Sequence, residues 1–166
     1  MNNSLAFLLM SMLFASVRAH AQEPLRSPLL GTWAVDTSRL TMPPEARPQR
    51  VTVTFSPADA GRLSTRVDVV GPDGMRMYAE GVTALDGTPS PVQGNLEADT
   101  AAATMPTPTV LVMQLSRGHV PGSTRIYTLA SDGASMTETA ANFGDDGRPA
   151  MRVNHFVRVE AGASPH

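Results

Sequence analysis

The sequence predicts an all-β domain: an antiparallel up-and-down meander of about 8–10 strands that closes into a β-barrel. Between residues 29 and 160, short stretches rich in Val, Thr, Met and Leu alternate with clusters of Gly, Pro and Asp. Apolar and polar residues alternate within these stretches, and none keeps the period of an α-helix. Closure would remove the exposed edge strands of an open meander.

The alternation is clear where Val51, Val53 and Phe55 face one way and Thr52 and Thr54 face the other. One buried face and one solvent-exposed face are typical of antiparallel sheets. The predicted strands cover residues 30–35, 50–55, 62–70, 75–82, 100–105, 110–115, 123–130, 135–142 and 152–159.

Turn residues set the pairing of neighbouring strands. Asp-Gly is a strong hairpin signal because glycine tolerates a positive φ, and it occurs at residues 73–74, 86–87, 132–133 and 146–147. A two-residue loop at 132–133 pairs Leu129 with Met136 and Tyr127 with Glu138.

The turn at residues 72–74 needs three residues to keep apolar side chains opposite each other. A type I turn followed by a left-handed Gly74 then pairs Val69 with Met77 and Val67 with Ala79.

For the last hairpin we predict a two-residue loop at 146–147, which pairs Glu138 with His155. This register places Val153 and Val157 on the inward face of the final strand.

Tyr127, Glu138 and His155 then form one polar row across three strands, on an otherwise apolar face. Buried polar groups need partners, so the row is either a structural hydrogen-bonded cluster or part of a wet inward face. It is alternatively an anchor for the head of an apolar ligand. A general acid–base role is chemically open, but neither a nucleophile nor an oxyanion site can be named, so no catalytic residue is assigned.

Methionine is frequent, and we take Met75, Met77 and Met136 as candidate ligand-lining residues beside the polar row. Adaptable core filling is the alternative explanation. The thioethers of Met75 and Met77 share a face and suit Cu(I), but no histidine is close in sequence. We expect no metal site and no cofactor, since the histidines are scattered and the chain lacks cysteine.

The composition excludes several classes of protein. The formal net charge is −2 with pI near 6.0, which argues against nucleic-acid binding. The absence of cysteine excludes a disulfide scaffold, and the absence of lysine excludes Schiff-base chemistry and Walker-type phosphate loops.

The first residues predict export. An apolar run at 5–17 is too short to span a bilayer easily, and Ala19-His20-Ala21 suits a signal peptidase that cleaves after Ala21. An uncleaved anchor is the alternative. We therefore assign residues 1–21 to a signal peptide, 22–28 to a flexible segment, 29–160 to one barrel domain and 161–166 to a disordered tail. The mature protein would be periplasmic or extracellular, without a membrane span.

A series of motifs resembles a family of uncharacterised secreted bacterial proteins with lipocalin-like β-barrels. The motifs are Gly31-Thr32-Trp33, Asp86-Gly87, residues 91–95 (Pro-Val-Gln-Gly-Asn), Ala98-Asp99-Thr100, residues 131–137 and residues 144–149. The resemblance implies a lipocalin-like fold and structural roles for Gly31 and Trp33, with Arg158 or Arg152 stacked on the tryptophan. It transfers no catalytic residues.

These observations favour an exported binding protein that holds a small hydrophobic or amphipathic ligand inside the barrel. A non-catalytic envelope module with a self-filled barrel is the alternative, and an enzyme that uses Tyr127, Glu138 and His155 is a third hypothesis. The sequence leaves ligand identity and oligomeric state open.

Overall fold

The computed structural model of the protein describes residues 25–94, 96–144 and 146–160. The predicted signal peptide and disordered tail therefore lie outside the described residues. Ten antiparallel strands form a closed up-and-down barrel in which each strand pairs with the next and the last pairs with the first. The predicted fold class is confirmed.

Nine of the ten strands overlap the predicted ones. The strands are β1 (Gly31–Val35), β2 (Arg50–Pro57), β3 (Leu63–Val70), β4 (Arg76–Thr83), β5 (Ser90–Gly94), β6 (Thr100–Thr107), β7 (Val110–Arg117), β8 (Val120–Leu129), β9 (Ser135–Phe143) and β10 (Pro149–Val159). Strand β5 was not predicted, because Pro91 and Gly94 are residues that disfavour a strand. Three 3₁₀ turns, at Thr37–Arg39, Pro44–Ala46 and Asp59–Gly61, are the only helical segments in the described ranges.

One end of the barrel is closed by packed side chains. Buried apolar residues gather there around Trp33, which is fully buried and donates a hydrogen bond from Nε1 to the Leu29 carbonyl oxygen at 2.8 Å. This closed end is where β1 and β3 begin and β2, β4, β8 and β10 end.

Arg158 covers the tryptophan at the closed end. Its guanidinium carbon lies 4.1 Å from the centre of the Trp33 ring, so Arg158 rather than Arg152 makes the expected stack. The same guanidinium donates to the carbonyl oxygens of Leu30 at 2.9 Å and Gly133 at 3.0 Å. Gly31 lies beside it with φ 129°, a conformation that residues with a side chain rarely adopt, and a Cβ there would lie 2.7 Å from Arg158 Nη1.

The segment before β1 is held against the barrel. Leu25 packs on the core, and Ser27 Oγ donates to the Pro108 carbonyl oxygen at 2.6 Å. Residues 25–28 of the predicted flexible segment 22–28 therefore contact the barrel.

The predicted registers are confirmed for two hairpins. Strand β3 pairs with β4 through Val67 opposite Ala79, across a turn in which Gly74 has φ 83°. Strand β8 pairs with β9 through Tyr127 opposite Glu138.

The predicted register of β9 with β10 is wrong by one residue. The Gly144 N–H donates to the Arg148 carbonyl oxygen at 2.9 Å, so the loop between them has three residues rather than two. Glu138 consequently pairs with Asn154, and His155 pairs with Thr137. Because the side-chain period of a strand is two, this single residue turns every side chain of β10 to the opposite face.

Candidate functional site

A cavity of about 370 Å³ lies inside the barrel, above the packed closed end. Its wall is mostly apolar and includes Val35, Val53, Val67, Val69, Met113 and Phe156. Exposed residues from two loops, among them Met42 and Glu97, also line it, so the cavity reaches the surface at the end opposite Trp33.

A buried carboxylate stands in this wall. Glu138 is 2% exposed and receives three side-chain hydrogen bonds. Oε1 accepts from Arg125 Nη1 at 2.9 Å and from the Tyr127 hydroxyl at 3.1 Å, while Oε2 accepts from Asn154 Nδ2 at 2.6 Å. A buried charge needs such pairing, and here one cation and two neutral donors supply it.

Tyr127 is held as a neutral donor. Its ring is buried and packs edge-on against Phe55 and Phe156, with centroids 5.3 Å and 6.3 Å away. Burial first, and then the negative charge of Glu138, raise the pKa of the Tyr127 phenol well above its ordinary value of 10.0. The hydroxyl therefore stays protonated and donates the hydrogen bond to Glu138.

Arg125 joins the cluster to the mouth of the cavity. Its side chain is 16% exposed and forms ion pairs with Glu138 and with Glu97, whose side chain is 52% exposed. Burial opposes the charge on Arg125, yet the negative charge of Glu138 helps to raise its pKa above the ordinary value for arginine. The guanidinium thus lies between one buried and one accessible carboxylate.

A second guanidinium faces the same space. Arg152 lines the cavity and is exposed, and it has no hydrogen-bond or ion-pair partner within the described ranges. It lies opposite Ala140 in the β9–β10 register, and Ala140 lies opposite Arg125 in the β8–β9 register. Two arginines therefore stand in one row near the mouth.

The histidine of the predicted polar row is not part of this cluster. His155 is half-buried on the outer side of the barrel, in a surface groove that Asp36 and Arg39 also line. The predicted grouping of His155 with Tyr127 and Glu138 is wrong, because the longer turn reverses the face of β10. Val153 and Val157, predicted to point inward, are 47% and 54% exposed.

The three candidate methionines do not meet at the cavity. Met75 lies in the turn before β4 and is 62% exposed, Met77 is half-buried on β4, and Met136 is buried in the core near the closed end. Met113 lines the cavity instead. Within the described ranges, no group of three or more His, Cys, Asp or Glu side chains is placed to hold a metal ion.

Sequence reasoning missed Arg125, Asn154, Glu97 and Arg152. Arg125 carried a usable signal, since it is two residues from Tyr127 on a predicted strand and must share its face. Asn154 and Arg152 depended on the β10 register, and Glu97 lies between strands, where no pairing rule applies.

No family model, curated protein or solved structure matches the chain. Among the residues that the structure describes, no helix is long and apolar enough to cross a membrane.

Proposed function

We propose that the protein is an exported binding protein that holds a small amphipathic molecule inside its barrel. The observation that carries this proposal is the apolar cavity of about 370 Å³ with the buried Glu138 cluster in its wall. Pockets for small molecules have volumes of about 300–1,000 Å³ and combine apolar walls with a few fixed polar groups.

The apolar part of the ligand would lie against the valines of β1 to β3 and against Met113 and Phe156. Transfer of apolar surface from water into such a site is favourable by about 25 cal/mol per Å². The Glu138 cluster is already hydrogen-bonded internally, so it needs no ligand to satisfy its groups and holds the wall in one arrangement.

The head of the ligand would be anionic. Arg152 offers a guanidinium without a partner among the residues that the structure describes, and the second ion-pair partner of Arg125 is the accessible Glu97. A carboxylate head can pair with Arg152 and compete with Glu97 for Arg125, and arginine binds carboxylates in a two-pronged geometry. A cationic head would meet both guanidinium groups and be repelled.

The test is calorimetric titration of the chain from Gln22 onward with dodecanoic acid, dodecylamine and dodecanol. We expect dodecanoic acid to bind most tightly and Arg152→Ala to weaken it by about tenfold, in line with one lost charge-assisted hydrogen bond. Equal binding of the three compounds would overturn the anionic head, and no binding of any would overturn the ligand-binding role.

A matched pair of variants locates the ligand. Val69 lines the cavity, whereas the next residue on β3, Val70, does not. We expect Val69→Trp to fill the cavity and abolish binding, while Val70→Trp keeps it. Equal affinity in both variants would place the ligand elsewhere on the protein.

A second candidate function rests on the outer surface of the last two strands. Phe143, Met151, Val153 and Val157 are exposed there. Exposed apolar side chains of this kind favour a protein-interaction module of the cell envelope. Loss of a co-purifying protein on Met151→Ser, together with no small-molecule binding, would favour this alternative. An enzyme that uses Tyr127, Glu138 and His155 is not proposed, since His155 lies on the other side of the wall.

Export is tested separately. We propose that residues 1–21 direct the chain out of the cytoplasm and are removed after Ala21. The N-terminal residue of the protein recovered from the periplasm of a bacterial host should be Gln22. Recovery of an intact chain in the membrane fraction would support the anchor instead.

A further inference from the structure

Two threonine hydroxyls on the cavity wall have no hydrogen-bond partner among the described residues. They are Oγ1 of Thr65 and Oγ1 of Thr83, and both oxygens are buried. Thr83 is only 2% exposed as a residue, and both threonines line the cavity. A buried hydroxyl without a partner costs free energy that a valine of the same shape would avoid. Their presence therefore points to a partner from outside the part of the chain that the structure describes.

The two threonines lie at the deep end of the cavity. Thr83 is the last residue of β4 and pairs with Leu63, the first residue of β3, at the closed end of the barrel. Thr65 is two residues further along β3 and shares the inward face with Leu63.

The threonines also lie across the barrel from the arginines. In the order of the closed barrel, β4 is five strands from β9 in either direction, and β3 is five strands from β8. The Glu138 cluster and Arg152 are on β8 to β10 and toward the mouth. The rest of the cavity lining is mostly apolar, so the cavity has a charged side and, across the barrel, a hydroxyl-lined side.

We propose that the ligand carries a second polar group at the end of its apolar body remote from the anionic head, and that Thr65 and Thr83 hydrogen-bond this group. The inference rests on the proposed function. The second group would be neutral, such as a terminal hydroxyl, because the charged lining residue on the strand of Thr83, Glu80, is already paired with Arg66. The ligand class is thus an amphipathic carboxylate with a polar group at its far end.

The test compares dodecanoic acid with ω-hydroxydodecanoic acid, which differ only in the terminal hydroxyl. The wild-type protein should bind the hydroxylated acid about five- to tenfold more tightly than the plain acid. In Thr65→Val/Thr83→Val the order should reverse, since the terminal hydroxyl would then be buried without a partner. Thr52→Val is the matched control, because Thr52 faces outward on β2 and should leave the preference unchanged.

A second readout is independent of ligand binding. If the hydroxyls are unsatisfied in the free protein, Thr83→Val should leave its urea midpoint unchanged or raise it. A lowered midpoint would mean that the hydroxyl already has a structural partner, which would contradict the inference.

The outcomes separate the two proposals. Tight binding of both acids with the same ratio in wild type and double variant would overturn the second polar group and leave the binding function intact. Failure of both acids to bind the wild-type protein would overturn the binding function and this inference with it.

Discussion

Arg125 forms an ion pair with Glu138 inside the barrel wall, with Nη1 2.9 Å from Oε1. Glu138 is almost fully buried, and the carboxylate also receives hydrogen bonds from Tyr127 and Asn154. The Glu138 carboxylate therefore joins three neighbouring strands, β8, β9 and β10, at the level of the cavity.

Glu138→Ala should destabilise the protein by about 3–5 kcal/mol, because the largely buried Arg125 then keeps only the accessible Glu97 as a charged partner among the described residues. Urea unfolding followed by circular dichroism measures the change. Glu80→Gln is the control: it breaks the exposed pair with Arg66 and should change stability by about 1 kcal/mol or less. Similar losses in the two variants would contradict the structural role of the buried pair.

Tyr127 makes the stability sensitive to alkaline pH. The pKa of the Tyr127 phenol is raised in the folded protein. Its contribution to the free energy of unfolding is therefore fully present below the unfolded pKa of 10.0 and is lost as the pH rises above that value. We expect the urea midpoint of the wild-type protein to fall more steeply above pH 10.0 than that of Tyr127→Phe. Parallel curves for the two proteins would show that Tyr127 is not the group responsible.

Trp33 and Arg158 should dominate the stability of the closed end. Arg158→Lys keeps the charge but loses the planar stack and most of the carbonyl hydrogen bonds, so we expect a loss of about 2–4 kcal/mol. Trp33 is the single tryptophan of the chain, and its fluorescence reports the transition directly. Arg148→Lys, at an exposed position, should change little.

The register of β10 has a direct mutational test. Phe156 is buried and Val153 is exposed, so Phe156→Ala should cost about 3–5 kcal/mol and Val153→Ser about 0.5 kcal/mol or less. Thermal unfolding of the two variants measures both. A large loss of stability for Val153→Ser would instead support the register in which Val153 points inward.

The sequence was sufficient for the meander because alternation and turn residues are local signals. The same signals failed at one turn. Residues 71–75 and 144–148 share the pattern Gly-x-Asp-Gly-x, and in both the first N–H donates to the last carbonyl oxygen, at 2.8 Å and 2.9 Å. Comparison of the two segments would have predicted three-residue loops for both and the correct face for β10.

The site was only partly predictable. The pairing of Tyr127 with Glu138 followed from the correctly predicted turn at residues 132–133. The pairing of Asn154 with Glu138 was not predicted, because the turn before β10 was assigned one residue too few. The ion pair of Arg125 with Glu97 joins a strand to a loop. Whether the hydroxyls of Thr65 and Thr83 have a partner among the described residues is decided by side chains from other strands. Contacts of this kind depend on the packed barrel, which strand patterns do not describe.

Native mass spectrometry of the protein purified from a bacterial periplasm tests the central claim most directly. We expect one non-protein molecule per chain that is lost on denaturation, present in Val70→Trp and absent from Val69→Trp. A clean apo mass for the wild-type chain, unchanged after incubation with dodecanoic acid and ω-hydroxydodecanoic acid, would contradict a ligand-binding barrel.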